Sequence, residues 1–142
     1  MTKEPLVVER VYHVPVSKVW QAITDNAQMK QWYFQIADFK AEVGFEFEFT
    51  AGDKNKQYVH HCKVTEVVPG QKLSYTWRYR DYPGDSLVTF ELFPEGNGTR
   101  LKLSHYGLES FPGATDPAFA PTSFNEGWNS ILGVSLKKFL EG

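Results

Sequence analysis

Thr122-Ser123-Phe124-Asn125-Glu126-Gly127-Trp128-Asn129-Ser130-Ile131-Leu132-Gly133-Val134-Ser135-Leu136-Lys137-Lys138-Phe139-Leu140-Glu141 is the long helical pattern of this chain, and its reading decides the fold. At about 100° per residue, Phe124, Trp128, Ile131, Leu132, Leu136 and Phe139 fall in one arc, with Glu126, Ser130 and Lys137 opposite. Ser123 and Glu126 stand at capping-box spacing, in which each side chain satisfies a free backbone N–H of the first turn. Lys137 and Lys138 suit the carbonyl end of the helix dipole, and Gly142 follows. Such a helix reaches roughly 30 Å, about the length of the longer strands before it, so one helix covers one sheet. Gly127 and Gly133 each cost the helix about 1 kcal/mol relative to Ala. Gly127 is tolerated near the start, whereas the wheel sets Gly133 towards the wet side without explaining it.

Working back from the helix, the chain reads as strands. Leu6 to Val14 is rich in β-branched residues, but Val8/Tyr12 and Val7/Val11 serve equally as its inward set. Pro15 ends it. A short helix over Ser17 to Ile23 follows, then a second, capped by Asp25 and carrying Met29, Trp32 and Tyr33. From Ile36 the period becomes two: Phe45, Phe47 and Phe49 alternate with Glu46 and Glu48. Gly52-Asp53-Lys54-Asn55-Lys56 reads as a hairpin loop, and Gln57 to Val68 as a strand with Tyr58, His60, Cys62 and Val64 on one face. Leu73, Tyr75, Trp77 and Tyr79 alternate with Ser74, Thr76, Arg78 and Arg80 almost without fault. Val88, Phe90 and Leu92, then Leu101, Leu103 and His105, repeat the pattern, with turns at Asp81 to Asp85 and Glu95 to Gly98. The stretch from Gly107 to Pro121 holds Leu108, Phe111 and Phe119, apolar residues suited to folding over something.

A strand, two short helices, some six antiparallel strands and a long helix make an α+β plan, a curved antiparallel sheet with the helix across its concave face. With 142 residues and no break in composition, residues 1–142 are expected to form a single domain. A net charge of -2 without a Lys/Arg run argues against nucleic acid. Cys62 is the only cysteine, which rules out an internal disulfide and suits a reducing compartment. The first residues lack a signal peptide's apolar core, and no stretch is long and apolar enough to span a membrane. A cytoplasmic location is therefore expected. Aromatic content of 15% is the unusual quantity.

Several stretches carry a family likeness. They are Val14 to Asp25 followed by Trp32; Val43-Gly44-Phe45-Glu46-Phe47; Val64-Thr65-Glu66-Val67 with Leu73-Ser74-Tyr75-Thr76-Trp77; and Glu126-Gly127-Trp128 with Leu132 and Leu136. In this order, over nearly the whole chain, they resemble the START-like (SRPBCC) superfamily, and within it the homologues of the Hsp ATPase activator's C-terminal domain. The resemblance implies a helix-grip fold with a deep hydrophobic cavity, used across the superfamily for lipids, sterols, polyketides and plant hormones, and sometimes for catalysis. It also implies a possible chaperone partner. Against that stands the expectation of one domain, with no counterpart to the activator's separate N-terminal domain.

The aromatic set facing such a cavity is Phe47, Tyr75, Trp77, Tyr79 and Phe90, joined from the helix by Phe124, Trp128 and Leu132, with Ser135 a polar intruder in the apolar arc. Tyr and Trp bring polar tips that orient a ligand in an apolar pocket, although core packing would explain each ring taken alone. His60 and His105 share the inner parity and could serve a metal or a proton transfer, or be ordinary buried histidines bonded to backbone. Neither HExxH nor CxxC is present, no Ser/His/Asp arrangement is legible, and Glu46 and Glu48 read outward. No catalytic residue, metal or cofactor is assigned. The leading expectation is a noncatalytic binder of a small apolar, aromatic or acyl ligand, held between Trp77, Tyr79, Phe90 and Trp128. The alternatives are an enzyme acting on a polyketide-like or cyclic substrate through His60, His105 or Tyr79, and a chaperone-interacting module.

Overall fold

The computed structural model describes residues 5–34, 36–52, 57–112, 116 and 119–141. The tip expected at Asp53 to Lys56 lies outside them, as do Met1 to Glu4, Gly142 and part of the 107–121 stretch. The elements run β1 (Leu6–Tyr12), α1 (Val16–Thr24), α2 (Asn26–Trp32), β2 (Glu46–Gly52), β3 (Gln57–Val68), β4 (Lys72–Tyr79), β5 (Ser86–Glu95) and β6 (Gly98–Tyr106). The C-terminal helix follows as α3 (Pro121–Ser130), a π-helical stretch (Ile131–Leu136) and α4 (Lys137–Glu141). The sheet is antiparallel, in the order β1-β6-β5-β4-β3-β2. This is the expected α+β helix-grip arrangement, with one correction. Five strands follow the short helices, not six, because the segment from Ile36 to Phe45 is irregular; it buries Ile36 and Phe39, and its end meets β3 through Gly44 N to Val64 O and Val64 N to Phe45 O, each 2.8 Å.

Alternation decides which faces meet the helix. Leu73, Tyr75, Trp77 and Tyr79 of β4 are buried, as are Phe47 and Phe49, His60, Cys62 and Val64, Val88, Phe90 and Leu92, and Leu101, Leu103 and His105. In β1 the buried set is Val8 and Tyr12, with Val7 and Val11 exposed, which settles the face that periodicity left open. A register shift between Val64 and Glu66 marks a bulge in β3, a device that bends and twists a strand. Asp25 caps α2 as expected, accepting from Ala27 N at 3.1 Å, and Trp32 Nε1 ties α2 to α1 through Ala22 O at 2.8 Å.

The C-terminal helix differs from its expected form in two ways. Its first residue is Pro121, with Ala120 as N-cap and no side-chain cap, so the capping box is not made; proline's fixed φ and missing N–H suit that first position. Its middle is π-helical. An i→i+5 ladder turns through less angle per residue than an α-helix, and this keeps Leu132 and Leu136 on the buried side begun by Phe124 and Trp128. Tyr12 Oη donates to Leu132 O at 2.7 Å, supplying a partner where the ladder changes. Gly133, in the same stretch, faces β1: a Cβ there would lie 3.1 Å from Arg10 Nε, and Arg10 Nη2 donates to Asn129 Oδ1. Its missing side chain thus makes room for Arg10 to lie along the helix.

The stretch after β6 folds back on the sheet end. Phe111 and Phe119 are buried, with ring centroids 5.3 and 4.7 Å from Tyr79. Gly84, at φ 118°, permits this approach, since a Cβ would collide with the Phe111 ring.

Candidate functional site

Between the Tyr79 end of β4 and the first turns of the C-terminal helix lies a pocket of about 160 Å³, lined by Phe34, Trp77, Tyr79, Ser123, Phe124, Gly127, Trp128 and Ile131. Strand parity points Trp77 and Tyr79 inward, and Trp128 comes down from the helix until its ring centre is 5.4 Å from that of Trp77. Phe34, just beyond α2, stacks on Phe49 at 4.5 Å and meets Trp77 edge-on at 6.1 Å. At Gly127 a Cβ would find nothing within 4 Å, so the missing side chain leaves this part of the wall open.

Hydrogen bonds at the ring tips hold the wall in place. Trp128 Nε1 donates to His105 Nδ1 at 3.0 Å. An indole N–H only donates, so Nδ1 is the acceptor and the neutral ring carries its proton on Nε2. That proton is shared with Ser86 Oγ at 2.8 Å, and Ser86 Oγ donates in turn to Trp77 O at 2.6 Å. Trp77 Nε1 donates to Tyr79 Oη at 2.8 Å. Deeper in, Tyr33 Oη and Tyr75 Oη share a hydrogen bond of 2.7 Å. Burial disfavours the charged imidazole and lowers the pKa of His105 to about 3. It lowers that of His60 to about 4, against the opposing pull of hydrogen bonds to the Tyr58 and Phe49 backbone. The Tyr79 phenol is pushed well up, chiefly by burial. The interior is uncharged at neutral pH.

Of the residues expected to line a cavity, Trp77, Tyr79, Phe124 and Trp128 come together around this pocket. Phe47 packs into the core against Phe39 and Tyr75, each at 5.1 Å. Tyr75 and Phe90 lie beneath the pocket wall, Phe90 edge-on to Trp128 at 6.1 Å. His60 stacks on Phe49 at 4.4 Å with Nδ1 3.0 Å from Tyr58 O. His105 stands behind Trp128, Leu132 is fully buried, and Ser135 is half-buried in the π-helical stretch. The expected lining thus divides, among the described residues, between this pocket and the packed core. Phe34, Ser123, Gly127 and Ile131 were not anticipated as lining. The aromatic run Trp32-Tyr33-Phe34, which no single helix face can bury, was the signal for Phe34.

Chemically the site is apolar and weakly donating. No hydrogen bond joins any two of His60, His105 and Tyr79, and both ring nitrogens of His105 are engaged. Glu46 and Glu48 face outward, paired with His61 at 3.2 Å and Arg80 at 2.9 Å. Cys62 is buried and its thiol pKa is raised by burial, which makes it inert. Among the described residues no group of His, Cys, Asp and Glu is placed to hold a metal ion, and no helix is long and apolar enough to cross a membrane.

A family model described as activator of Hsp90 ATPase homolog 1-like protein matches residues 13–141. No curated protein matches the chain. Among solved structures, protein CV1439 from Chromobacterium violaceum is similar with a TM-score of 0.81 and 26% identity over 98% of both chains. Protein MLL2253 from Mesorhizobium loti is similar with a TM-score of 0.79 and 31% identity over 96% of both chains. DynU16, from the dynemicin biosynthetic locus, shares the fold with a TM-score of 0.78 at 22% identity; the match covers 98% of this chain and 48% of DynU16.

Proposed function

The chain belongs to the activator of Hsp90 ATPase homolog 1-like family, and from that premise we propose that it is a noncatalytic binder of a small apolar ligand, whose aromatic ring enters the pocket between Trp77, Tyr79, Phe124 and Trp128. The observation that carries this reading is the pocket itself: about 160 Å³ walled by aromatic rings, close to the roughly 150 Å³ of an apolar cavity that takes up benzene. That volume falls below the roughly 300–1,000 Å³ of sites that enclose a drug-sized molecule. One ring enters, and the rest of a larger ligand stays outside. Binding without catalysis is favoured because no hydrogen bond joins any two of His60, His105 and Tyr79, so these groups form no acid–base pair. A chaperone role, the one carried by the family's name, calls for a surface and draws no support from the pocket. A cytoplasmic location, as expected from the single cysteine, fits a binder of this kind.

The test uses Gly127, whose side-chain direction is open. Gly127→Leu should keep the fold, since leucine is the better helix former, and should block the opening. Titration calorimetry with ethylbenzene should show binding to the parent protein and at least a tenfold loss in the variant. An unchanged affinity would put the ligand elsewhere. No heat with the parent protein would sink the binding reading.

A further inference from the structure

The pocket wall holds a hydrogen-bond donor that no described residue uses. Tyr79 is 8% exposed and lines the pocket. Its Oη is the acceptor in the bond from Trp77 Nε1, because an indole N–H has no acceptor role. A phenol also donates, yet among the described residues the Tyr79 proton meets no acceptor. The two indole N–H groups of the wall are both engaged, that of Trp77 by Tyr79 and that of Trp128 by His105. Among the described residues, no Lys, Arg, Asp or Glu lines the space. A buried donor left unmatched carries a penalty that a ligand acceptor relieves, whereas an ion entering this wall would lose its hydration with no opposite charge to meet.

On the reading that the pocket takes a ring, we propose that its ligand is uncharged and carries a neutral oxygen acceptor, a ketone, aldehyde or ether, on or beside that ring, and that Tyr79 Oη–H binds this oxygen. Trp77 assists, since donating to Oη polarises the phenol and strengthens its own O–H as a donor. Burial keeps Tyr79 protonated throughout the neutral range.

Acetophenone, ethylbenzene and benzoate separate the possibilities. Acetophenone and ethylbenzene differ by the carbonyl oxygen, and benzoate replaces the ketone with a charge. Calorimetry on the parent protein should give acetophenone an affinity about tenfold above that of ethylbenzene, the effect of one hydrogen bond, and should detect no benzoate binding. In Tyr79→Phe the two neutral ligands should become equal. Any general loosening, including that from leaving Trp77 Nε1 without its acceptor, moves both affinities together, so their ratio reports on the donor alone. Equal affinities in the parent protein, or a preference for acetophenone that survives in Tyr79→Phe, would overturn the role of Tyr79 while leaving ring binding intact. Benzoate binding as tight as acetophenone would overturn the claim that the ligand is uncharged. If neither neutral ligand binds, this inference and the binding reading fall together.

Discussion

Among the described residues, the side chains under the second half of the C-terminal helix are mostly aliphatic and fully buried; those under its first half are aromatic and border a gap. Around Tyr12, Leu92, Leu101, Leu132 and Leu136 almost every side chain is a branched hydrocarbon, all but Leu92 with no exposed surface. Around Trp77, Tyr79, His105, Phe124 and Trp128 the side chains are flat and most have polar tips. Leucines rotate among rotamers until the space is filled. A ring held at its tip by a hydrogen bond does not, because turning to close the gap would break the bond and leave a buried donor unmatched. Tip-to-tip bonding from Trp128 to His105 to Ser86, and from Trp77 to Tyr79, thus keeps open a space that hydrophobic packing would otherwise close.

The largest expected effect lies at the aromatic end and is read through pH. His60 and His105 have folded pKa values of about 4 and about 3, below the ordinary 6.5. A group with a depressed folded pKa contributes stability that is complete above its unfolded pKa and is lost as pH falls towards the folded one, here from about 6.5 towards 4. At about 1.4 kcal/mol per pH unit for each histidine, the pair should lower stability by roughly 4–5 kcal/mol between pH 6 and pH 4. Urea denaturation across this range checks the slope. His105→Gln should remove about half of it, and an unaltered slope would mean that His105 is not held neutral by burial.

Next in size is the comparison of packing itself, with side chains of equal volume. Leu101 is fully buried at the aliphatic end, whereas Ile131 is half-buried and lines the existing gap. Truncation of a core Leu or Ile to Ala costs about 2–5 kcal/mol, more when a new cavity remains. Leu101→Ala belongs in the upper part of that range. Ile131→Ala belongs at or below its lower limit, because it widens a space already present. Denaturant midpoints at constant slope decide between them, and equal losses would mean that the two ends are packed alike.

The strands were the legible part of this molecule. A buried face on an antiparallel strand imposes period two, and Leu73 to Tyr79 shows it in sequence as in structure. The helix was legible in extent but not in kind. Phe124, Trp128, Leu132 and Leu136 recur every fourth residue, a spacing that drifts by about 40° per step on an α-helix, and that drift was the trace of the π-helical stretch. Strand parity could bring Trp77 and Tyr79 to one face, and helix periodicity brought Phe124 and Trp128 to another. What neither could supply was the distance between sheet and helix, which depends on how the rings settle against one another. Ser86 was illegible for a related reason: its partners His105 and Trp77 lie on neighbouring strands, and register is a property of pairing, not of local pattern.

The two helix glycines give the smallest and sharpest test, one at each end. By propensity alone each Gly→Ala change should stabilise the helix by about 1 kcal/mol. At Gly127 the new methyl group meets nothing within 4 Å, so the gain should be seen whole. At Gly133 the same methyl would sit 3.1 Å from Arg10 Nε and 3.4 Å from Nη2, closer than carbon and nitrogen rest comfortably. Arg10 must then give way and strain its hydrogen bond to Asn129, at a cost of about the size of the propensity gain. Gly127→Ala should therefore raise the denaturant midpoint while Gly133→Ala leaves it unchanged or lowers it, with the difference abolished when Arg10→Ala is the background. Equal gains from both glycines in the parent protein would show that the helix stands clear of β1 at Gly133, and the packed end of the comparison would lose its closest contact.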